Sequence, residues 1–533
     1  MNVMPALFPS EQRASQTDTD VLIVGLGPTG ATAAGLLAQQ GLRVMAFDRL
    51  PGLYPLPRAA GLDHEVMRIM QELGIAARVL PHIQPYRPSE YRGMRGQLIK
   101  RLDATPPPFR TGWAPNYVFD QPAFEGEIRR RLTELPRVQL NFPADVLAVG
   151  QDSHQAWADV NVAGRTRRVT AHYLLACDGG SSPIRKSLGI ELEDLGFDEP
   201  WLVVDMIVSD EKAKELPQTQ VQYCEAERPS TFVVCTGNHR RWEIMLLPGD
   251  SLSPDFPESE LWPLLRRWIS PHEGKLWRAA TYRFHGLIAK EWRRGRILLA
   301  GDSAHMTPPF MAQGMVQGIR DAHNLAWKLA RVIRGRAPER LLDSYAVERR
   351  PHVEATTRAA IALGRVICER EPQRAHARDA ALIDEQGGEI KTTYRQNMIP
   401  NLHQGLVAEG SPGAGVLFPQ PAVRHDRTIR SVLLDEVTGS RVRLITVAAL
   451  QKQEAAEFES HLAQVDGCLV SLNSNATAGI HASETSECIS SWMKELGCSF
   501  AIVRPDHYVY ATAATAADAL RHIGALCAEL TTA

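Results

Sequence analysis

The pattern of apolar and polar residues divides the first part of the chain into two kinds of segment. From Thr19 to about Ile190, apolar runs such as VLIVG and RVMAFD alternate with helix-like stretches such as ATAAGLLAQQ and AFEGEIRRRLTEL. This alternation predicts an α/β layer. From about 196 to 285 the chain changes to apolar runs separated by turn-rich pieces, including WLVVDMIV, TFVVCTG and RRWEIMLLPG. That pattern is typical of an antiparallel sheet.

The remainder of the chain returns to strand and helix patterns. RILLAGD and GIRDAHNLAWKLARVIRG read as a buried strand and a long helix, so the sheet is predicted to be inserted into a discontinuous α/β domain. EGSPGAGVLFPQP is rich in turn residues and predicts a linker. RVRLITV, CLVSL and FAIVRPDHYVYAT then indicate a small α/β domain. The predicted divisions are a leader (1–18), the discontinuous domain (19–195 and 286–390), the inserted sheet (196–285), the linker (391–420) and the C-terminal domain (421–533).

Composition narrows the functional classes. A chain of 533 residues is too long for one core. Its net charge of −2 gives no long-range attraction for nucleic acid or an anionic membrane, and no apolar run has transmembrane length. The eight cysteines form no CxxC pair and no metal-ligand spacing, so we expect no metal site. Reduced thiols in a cytoplasmic protein are the simplest interpretation.

The first strand leads into a glycine-rich turn. Val21–Val24 is followed by Gly25, Gly27 and Gly30 and then by a helix-like stretch. In such a motif the first glycine permits the turn, the second lets the backbone approach a pyrophosphate, and the third allows close packing of helix and strand. Asp48 ends the next apolar strand, where a carboxylate can accept hydrogen bonds from a ribose. The sequence therefore predicts a dinucleotide site.

Three motifs together resemble those of the group A flavin monooxygenases of the para-hydroxybenzoate hydroxylase type. They are GLGPTG with Asp48 and Arg49, ACDGGSSPIRKSLG at 176–189, and GDSAHMTPPF with QGMVQGIRDAHNLAWKL. The resemblance implies a Rossmann-type FAD-binding domain that carries the inserted antiparallel sheet as its substrate lobe. It also implies FAD contacts at Gly25, Gly27, Pro28, Thr29, Gly30, Asp48, Arg49, Arg58, Gln121, Asp178, Gly179, Gly301, Asp302, Pro309, Gly314 and Met315.

Further segments resemble the 3-(3-hydroxyphenyl)propionate hydroxylases, among them GFDEPWLVVD, QYCEAERPSTFV and YRFHGLIAKEWRRGRILLAGDSAH. The resemblance implies that NADH or NADPH reduces FAD, binding only transiently. A flavin C4a-hydroperoxide formed with O2 would then hydroxylate a phenol next to its hydroxyl group. The C-terminal domain resembles the thioredoxin-like appendage of phenol hydroxylases. Without a redox CxxC, it is expected to serve packing or contacts in a homodimer.

Several residues are candidates for contacts with the reacting groups. Tyr282 and His285 lie on one predicted strand, and their spacing of three places them on opposite faces, so one of them is expected to be structural. The resemblance places the carbonyl of Pro309 near the reactive carbon of the flavin. Arg241 is a candidate for binding a substrate carboxylate. Met311 stands where the family has a small residue, and we expect it, with Tyr282 and Arg241, to contact the substrate.

Alternatives stay open at this point. A flavin monooxygenase or epoxidase acting on a larger polyketide or isoprenoid has the same motifs, whereas tryptophan-type flavin halogenases carry a WxW segment that this chain lacks. A sensor or scaffold that keeps FAD without catalysis is an alternative of another class. A plain NAD-dependent dehydrogenase would leave the GDSAH and DGGSS segments without a role.

Overall fold

The computed structural model describes residues 17–425, 430–473 and 478–531, so most of the predicted leader lies outside the described residues. The helices are α1 (Pro28–Gln39), α2 (His64–Glu72), α3 (Ala76–Val79), α4 (Gln121–Thr133), α5 (Pro183–Ser187), α6 (Asp210–Glu215), α7 (Glu258–Leu265), α8 (Gly314–Ile333), α9 (Asp343–Ile367), α10 (Pro372–Asp384), α11 (Leu434–Thr438), α12 (Lys452–Gln464), α13 (Cys488–Glu495) and α14 (Ala516–Leu530).

The strands form four sheets. They are β1 (Thr19–Val24), β2 (Val44–Phe47), β3 (Gly61–Asp63), β4 (Ile83–Pro85), β5 (Ser89–Arg92), β6 (Leu98–Asp103), β7 (Asn116–Phe119), β8 (Val138–Asn141), β9 (Ala144–Gln151), β10 (Ala156–Val162), β11 (Arg165–Ala176), β12 (Leu192–Val208), β13 (Gln220–Tyr223), β14 (Ser230–Val234), β15 (His239–Met245), β16 (Gly274–Ala289), β17 (Arg293–Arg294), β18 (Ile297–Leu299), β19 (His305–Met306), β20 (Thr392–Tyr394), β21 (Ala422–His425), β22 (Val432–Leu433), β23 (Arg443–Thr446), β24 (Cys468–Ser471), β25 (Ile480–Glu484), β26 (Phe500–Val503) and β27 (Val509–Ala513).

The first sheet has a parallel core that brings distant motifs together. Its main order is β17-β18-β11-β1-β2-β8, and the pairs that join β18, β11, β1, β2 and β8 are all parallel. The carboxyl ends of β1, β11 and β18 therefore meet at one edge. Ligands of open α/β sheets bind outside this edge. The Rossmann-type layer that the sequence predicted is confirmed, and its three motifs start there.

The second sheet contains strands from outside the segment 196–285 that was predicted to form it. Its order is β19-β16-β12-β15-β14-β13-β5-β6-β20, and the pairs from β16 to β13 are antiparallel. β5 and β6 come from residues before 196, and β20 lies in the segment predicted as a linker. These strands join because β13 pairs with β5 and β6 pairs with β20, and such long-range pairings leave no local pattern in the sequence.

The two faces of this second sheet pack differently. One face carries Leu202, Val204 and Trp242, which form a core of their own with α7. The opposite face carries Trp201 and Met245, which belong to the same buried cluster as β1 and α8. The second face is therefore the one that faces the nucleotide-binding layer, and we refer to it as the inner face.

The C-terminal unit has the thioredoxin-like topology that the sequence predicted. Part of its sheet has the order β24-β23-β26-β27, in which β23 and β24 are parallel, β26 is antiparallel to β23, and β27 is antiparallel to β26. All eight cysteines of the chain are free of disulfide bonds. Among the described residues, no helix combines the length and apolar character that crossing a membrane requires.

Candidate active site

The glycine-rich turn after β1 is packed tightly on its protein side. Gly25 has φ +97°, and a Cβ there would lie 2.2 Å from the carbonyl oxygen of Cys177. A Cβ at Gly30 would lie 2.0 Å from the carbonyl oxygen of Gly25. Both positions therefore exclude any side chain. They bring the end of β1, the start of α1 and the loop after β11 into contact.

Gly27 differs, because a Cβ there would meet no protein atom within 4 Å. This residue is the N-cap of α1, with Pro28 at the first helical position and no side-chain cap. The amide groups of a helix N-terminus carry partial positive charge. Open space before such a terminus suits the pyrophosphate of a dinucleotide. Thr29 lies behind the turn, where its hydroxyl group would come within 2.6 Å of a Cβ placed at Gly301.

Asp48 directly follows β2 and fixes the glycine-rich turn. Its carboxylate accepts hydrogen bonds from the amide of Leu26 at 2.7 Å and from the amide of Leu50 at 2.9 Å. Arg129 lies 3.8 Å from the same carboxylate. Arg49 is exposed. The carboxylate is at the edge where the ribose is predicted, and ribose binding by Asp48 stays a prediction.

The loop after β11 carries an acceptor without a partner. One oxygen of Asp178 accepts a hydrogen bond from the amide of Ile184 at 3.1 Å. The other oxygen, Oδ1, is buried and has no hydrogen-bond partner among the described residues. Burial raises the pKa of this carboxyl. Gly179 follows with φ +85° and open space around its Cα. A buried acceptor of this kind fits a hydroxyl or N–H donor of a bound cofactor.

The loop after β18 is fixed by contacts with Asp321, and it exposes the side chain of Asp302. Gly301 donates its amide to Asp321 at 3.0 Å, and His305 Nε2 lies 2.6 Å from the same carboxylate oxygen. Arg349 donates to the other oxygen of Asp321 at 2.9 Å. The side chain of Asp302 is exposed and accepts no hydrogen bond within the described residues. His305 therefore has a structural contact, whereas Asp302 is free to accept from a ligand.

Gln121 and Arg58 shape a further wall of the cleft. The side-chain oxygen of Gln121 accepts hydrogen bonds from the amides of Arg58 and Ala59 at 2.7 and 2.6 Å. Its amide nitrogen donates to Glu125 at 2.6 Å. The Arg58 side chain is exposed, with its guanidinium 5.0 Å from the ring centre of Tyr54. Gln121 thus fixes the backbone from which Arg58 projects.

The segment predicted to border the flavin ring is a short 3₁₀ turn followed by α8. Pro309 opens the turn, and its carbonyl accepts the amide of Ala312 at 2.7 Å. Ala312 has φ +55°, a left-handed conformation that favours glycine. Gly314 and Met315 are the first residues of α8. Met311 is buried. Ala312 therefore holds a strained backbone conformation in the turn before α8.

Sequence reasoning missed Arg395, which reaches this turn from the predicted linker. It donates to the carbonyl of Met311 at 3.1 Å and to the hydroxyl of Ser89 at 3.3 Å, and its guanidinium lies 4.6 Å from the ring centre of Tyr86. It is buried and has no ion-pair partner among the described residues. Only the pairing of β20 with β6 brings it here, so no local signal could have revealed it.

Tyr282 and His285 lie on opposite faces of β16. Tyr282 is the register partner of Trp201 and shares the inner face, where its ring lies 4.9 Å from the guanidinium of Arg278. It is 36% exposed. His285 lies 3.1 Å from Asp198 on the other face. Of the two, Tyr282 is on the face toward the nucleotide-binding layer, and a contact with substrate stays a prediction for both.

Arg241, the predicted partner of a substrate carboxylate, is buried among fixed groups. Its Nε donates to Asp205 at 2.7 Å and its Nη2 to the same carboxylate at 3.2 Å. Its remaining donors reach the carbonyls of Arg58 at 2.8 Å and Pro57 at 3.3 Å. Arg241 thus ties the inner face to the loop that carries Arg58. These contacts favour a positioning role over direct binding of substrate.

Aromatic rings fill the space between the inner face and the turn at Pro309. Trp201 stacks on Phe284 with ring centres 5.4 Å apart, and both make edge contacts with Phe310 at 5.8 and 5.9 Å. Phe197 completes the cluster through Phe310. The inner face is therefore apolar and aromatic at the end nearest the predicted flavin ring. Rings of this kind pack well against other planar aromatic groups.

Glu243 also lies on the inner face and was missed by sequence reasoning. It sits between Arg241 and Met245 on β15 and is 7% exposed. The alternation of RRWEIM could have placed Arg241 and Glu243 on one face, but it could not show that the face is covered. Burial raises the pKa of the Glu243 carboxyl to about 7.

Comparison with known families agrees with this geometry. Residues 18–360 match the family described as "FAD binding domain", and residues 415–529 match the "HcaD C-terminal domain". The open glycine turn, the unpartnered oxygen of Asp178 and the free carboxylate of Asp302 fit FAD along the edge of the first sheet. The residues present thus provide a cradle for the cofactor that the matched family binds.

Curated relatives match nearly the full chain. A probable NADH-specific resorcinol 4-hydroxylase of Rhodococcus jostii is 36% identical over 519 residues, covering 96% of this chain and 95% of its own. A 3-(3-hydroxy-phenyl)propionate/3-hydroxycinnamic acid hydroxylase of Mycobacterium avium is 34% identical over 450 residues, covering 80% of this chain and 76% of its own. Both names describe hydroxylases of aromatic compounds.

Solved structures show the same fold. The complex of aklavinone-11 hydroxylase with FAD and aklavinone superposes with a TM-score of 0.78 at 21% identity, covering 97% of this chain and 99% of that one. The flavin-dependent monooxygenase PieE, in complex with FAD and substrate, has a TM-score of 0.78 at 20% identity, covering 96% and 100%. At these identities the likeness extends to the architecture alone.

Proposed function

Because this chain belongs to the FAD-binding domain family and is an FAD-dependent aromatic hydroxylase, we propose that it uses NADH and O2 to hydroxylate a phenol carrying a second polar group meta to its hydroxyl. Resorcinol and 3-(3-hydroxyphenyl)propionate, which the names of the relatives contain, share this pattern. The new hydroxyl is proposed to enter next to the existing one, since a phenol oxygen donates electron density to that position.

One observation carries the proposal: the inner face of the second sheet is fixed directly against the loops that cradle FAD. Arg241 makes the connection to the carbonyls of Pro57 and Arg58, and the rings of Trp201 and Phe310 make the second contact. A planar substrate held on this face would lie beside the turn at Pro309–Met311. Proximity and orientation of this kind supply a large share of enzymatic rate enhancement.

The side chains and backbone of the protein bind and orient the cofactor and substrate and exclude water from them. Bound FAD would supply the redox and oxygen chemistry that side chains lack. Gly314 and Met315, at the N-terminus of α8, would lie beside bound FAD, where the partial positive charge of the helix N-terminus favours negative charge. The aromatic cluster excludes water from the same region, which lowers the local dielectric and protects reactive species.

The proposal is tested by adding resorcinol or 3-(3-hydroxyphenyl)propionate to the FAD-loaded enzyme and measuring NADH and NADPH oxidation, peroxide release and product mass. The expected result is faster NADH oxidation and a product heavier by one oxygen atom with at least one of the two phenols. Stimulated oxidation that yields only peroxide would contradict the substrate assignment. Absence of stimulation by any phenol would contradict the proposed function.

We also propose that the enzyme works in the cytoplasm and forms a homodimer. The free state of all eight cysteines supports a reducing compartment. We propose NADH rather than NADPH as the reductant because one relative is named as NADH-specific. Sedimentation of the FAD-loaded protein would test the oligomeric state, and a monomer at micromolar concentration would contradict it.

A further inference from the structure

Glu243 lies at the centre of the inner face. Across the sheet its register partners are Val203 on β12 and Thr231 on β14. Its neighbours on the same face of β15 are Arg241 and Met245. Arg241 reaches the loop that carries Arg58, and Met245 packs in the core shared with the nucleotide-binding layer. The Glu243 carboxyl therefore points toward the space between the sheet and the FAD cradle.

The carboxyl has one long ion-pair contact and no hydrogen bond within the part of the chain that the structure describes. It makes no hydrogen bond within the described residues, and the nearest cationic atom, Nη1 of Arg241, lies 4.0 Å away and already donates to the carbonyl of Arg58. The hydroxyl of Thr231, directly across the strand pair, donates to Gln222 at 2.5 Å instead. Val203, on the other side, has no polar group.

Buried carboxyl groups in folded proteins are hydrogen-bonded or paired, because burial without a partner costs several kilocalories per mole. Asp205, one row along the same face, shows the usual arrangement, since Arg241 and His239 both bind it. The missing partner of Glu243 is therefore best supplied by a ligand that enters between the sheet and the flavin.

On this geometry, and resting on the proposed function, we propose that Glu243 binds the hydroxyl group of the phenol substrate and accepts its proton. In that step the phenol O–H bond breaks, an O–H bond forms on the carboxylate of Glu243, and the electron pair stays on the phenol oxygen. No electrons pass to another group. The ring gains electron density next to the oxygen, which is the position that the reaction attacks.

The local charges set how this step depends on pH. Burial raises the pKa of Glu243 to about 7, whereas the charge of Arg241 opposes the rise and that of Asp205 adds to it. Arg278, across β12 from Arg241, also pairs with Asp205, at 3.7 Å. Thr231 and Val203, from the strands on either side, do not titrate. The carboxylate form needed to accept a proton therefore becomes populated as pH rises through the neutral range.

The test uses the FAD-loaded enzyme and the phenol that it hydroxylates. Glu243→Gln keeps the shape of the side chain but cannot accept the proton, and Glu243→Asp keeps the acid. Glu225→Gln, which removes a surface carboxylate paired with Arg267, is the matched control. The readouts are the pH profile of kcat/KM, the fraction of oxidised NADH recovered as product, FAD content, and the ultraviolet difference spectrum of bound phenolate.

We expect Glu243→Gln to lower the rate of hydroxylation by about 10²- to 10⁴-fold, as loss of a general base does, and to remove the rise of kcat/KM through neutral pH. FAD content should stay at the wild-type level, and Glu243→Asp should retain the pH dependence. The control should match the wild type in every readout.

Two results would overturn the proposal. One is a Glu243→Gln enzyme that hydroxylates within about threefold of the wild-type rate with an unchanged pH profile. The other, which holds even if the variant fails to fold, is a wild-type enzyme whose bound phenol shows no ionisation as pH rises from 6 to 8. If the wild type forms no hydroxylated product with any phenol, the proposed function itself fails, so the two failures are distinguishable.

Discussion

The turn after β1 contains two glycines that should respond oppositely to the same substitution. A Cβ at Gly25 would lie 2.2 Å from the carbonyl oxygen and 2.7 Å from the carbonyl carbon of Cys177, and φ is +97°. Gly25→Ala thus combines a strained backbone, about 1–2 kcal/mol, with backbone overlap, about 1–3 kcal/mol. We expect it to lower the free energy of unfolding of the FAD-free protein by roughly 2–5 kcal/mol.

Gly27 lies two residues away and meets no protein atom. Its φ of −67° and ψ of −176° are open to alanine, and a Cβ there has no neighbour within 4 Å. Gly27→Ala should leave the FAD-free protein unchanged or stabilise it by about 0.4–1 kcal/mol, because alanine restricts the unfolded chain. The added methyl group occupies the space where the pyrophosphate is expected. FAD affinity should therefore fall by at least about tenfold, or about 1.4 kcal/mol.

Two measurements separate these effects. Urea unfolding of the FAD-free proteins reports on folding alone, and titration with FAD, followed by quenching of its fluorescence, gives the dissociation constant. If Gly27→Ala binds FAD as tightly as the wild type, the pyrophosphate does not lie over this turn. If Gly27→Ala destabilises the FAD-free protein as much as Gly25→Ala, a side chain at position 27 meets protein atoms, and the reasoning from open space before α1 is refuted.

Three further predictions test other parts of the site. A Cβ at Gly61 would lie 3.0 Å from that of Ala312, so Gly61→Ala should lower the melting temperature of the FAD-loaded protein. Adding Ala312→Gly should restore it, with a coupling energy between the two substitutions of about 1 kcal/mol. Additive effects of the two substitutions would refute the contact. Glu243, with a pKa of about 7 when folded and 4.5 unfolded, binds its proton more tightly in the folded state, so its contribution to stability falls as pH rises from 4.5 to 7. Glu243→Gln should therefore raise the free energy of unfolding in urea by up to about 3 kcal/mol at pH 8 and by little at pH 4.5, and an equal difference at both pH values would contradict the shift. Tyr508→Phe removes a 2.9 Å hydrogen bond to Glu65 that links the C-terminal unit to the FAD-binding unit, and it should lower the free energy of unfolding in urea by about 1.5–3 kcal/mol. Tyr510→Phe is the control, because it breaks no hydrogen bond within the described residues. An equal loss in both variants would refute the stabilising role of the Tyr508–Glu65 bond.

The sequence predicted the glycine-rich turn and the parallel sheet well because their geometry is local. Gly25, Gly27 and Gly30 are fixed by a single turn, and Asp48 directly follows the neighbouring parallel strand. Once the strand and helix pattern was read, the parallel sheet had to bring the carboxyl ends of β1, β11 and β18 to one edge. For the last unit the local pattern indicated only a small α/β domain, and its thioredoxin-like character was implied by the resemblance to phenol hydroxylases.

The substrate side was predicted less well because it depends on pairings between distant strands. Arg395 reaches the turn at Met311 only because β20 pairs with β6, almost 300 residues earlier in the chain. The contacts of Arg241 likewise depend on Asp205, which the register of β12 and β15 places beside it. A sequence shows which residues can carry charge. It does not show which of those charges are already paired.

That distinction separates Arg241 from Glu243, which share one face of one strand. Arg241 has four hydrogen bonds to a carboxylate and two carbonyls, so its charge is satisfied by the protein and holds the sheet against the FAD cradle. Glu243 is 7% exposed, accepts no hydrogen bond within the described residues and has only the charge of Arg241 at 4.0 Å. Since burying a carboxyl without a hydrogen-bond partner is costly, its presence between a positioning arginine and a cluster of aromatic rings is explained by the proposed contact with substrate. The cation most visible in the sequence thus organises the site, and the acid beside it is the group left free for substrate.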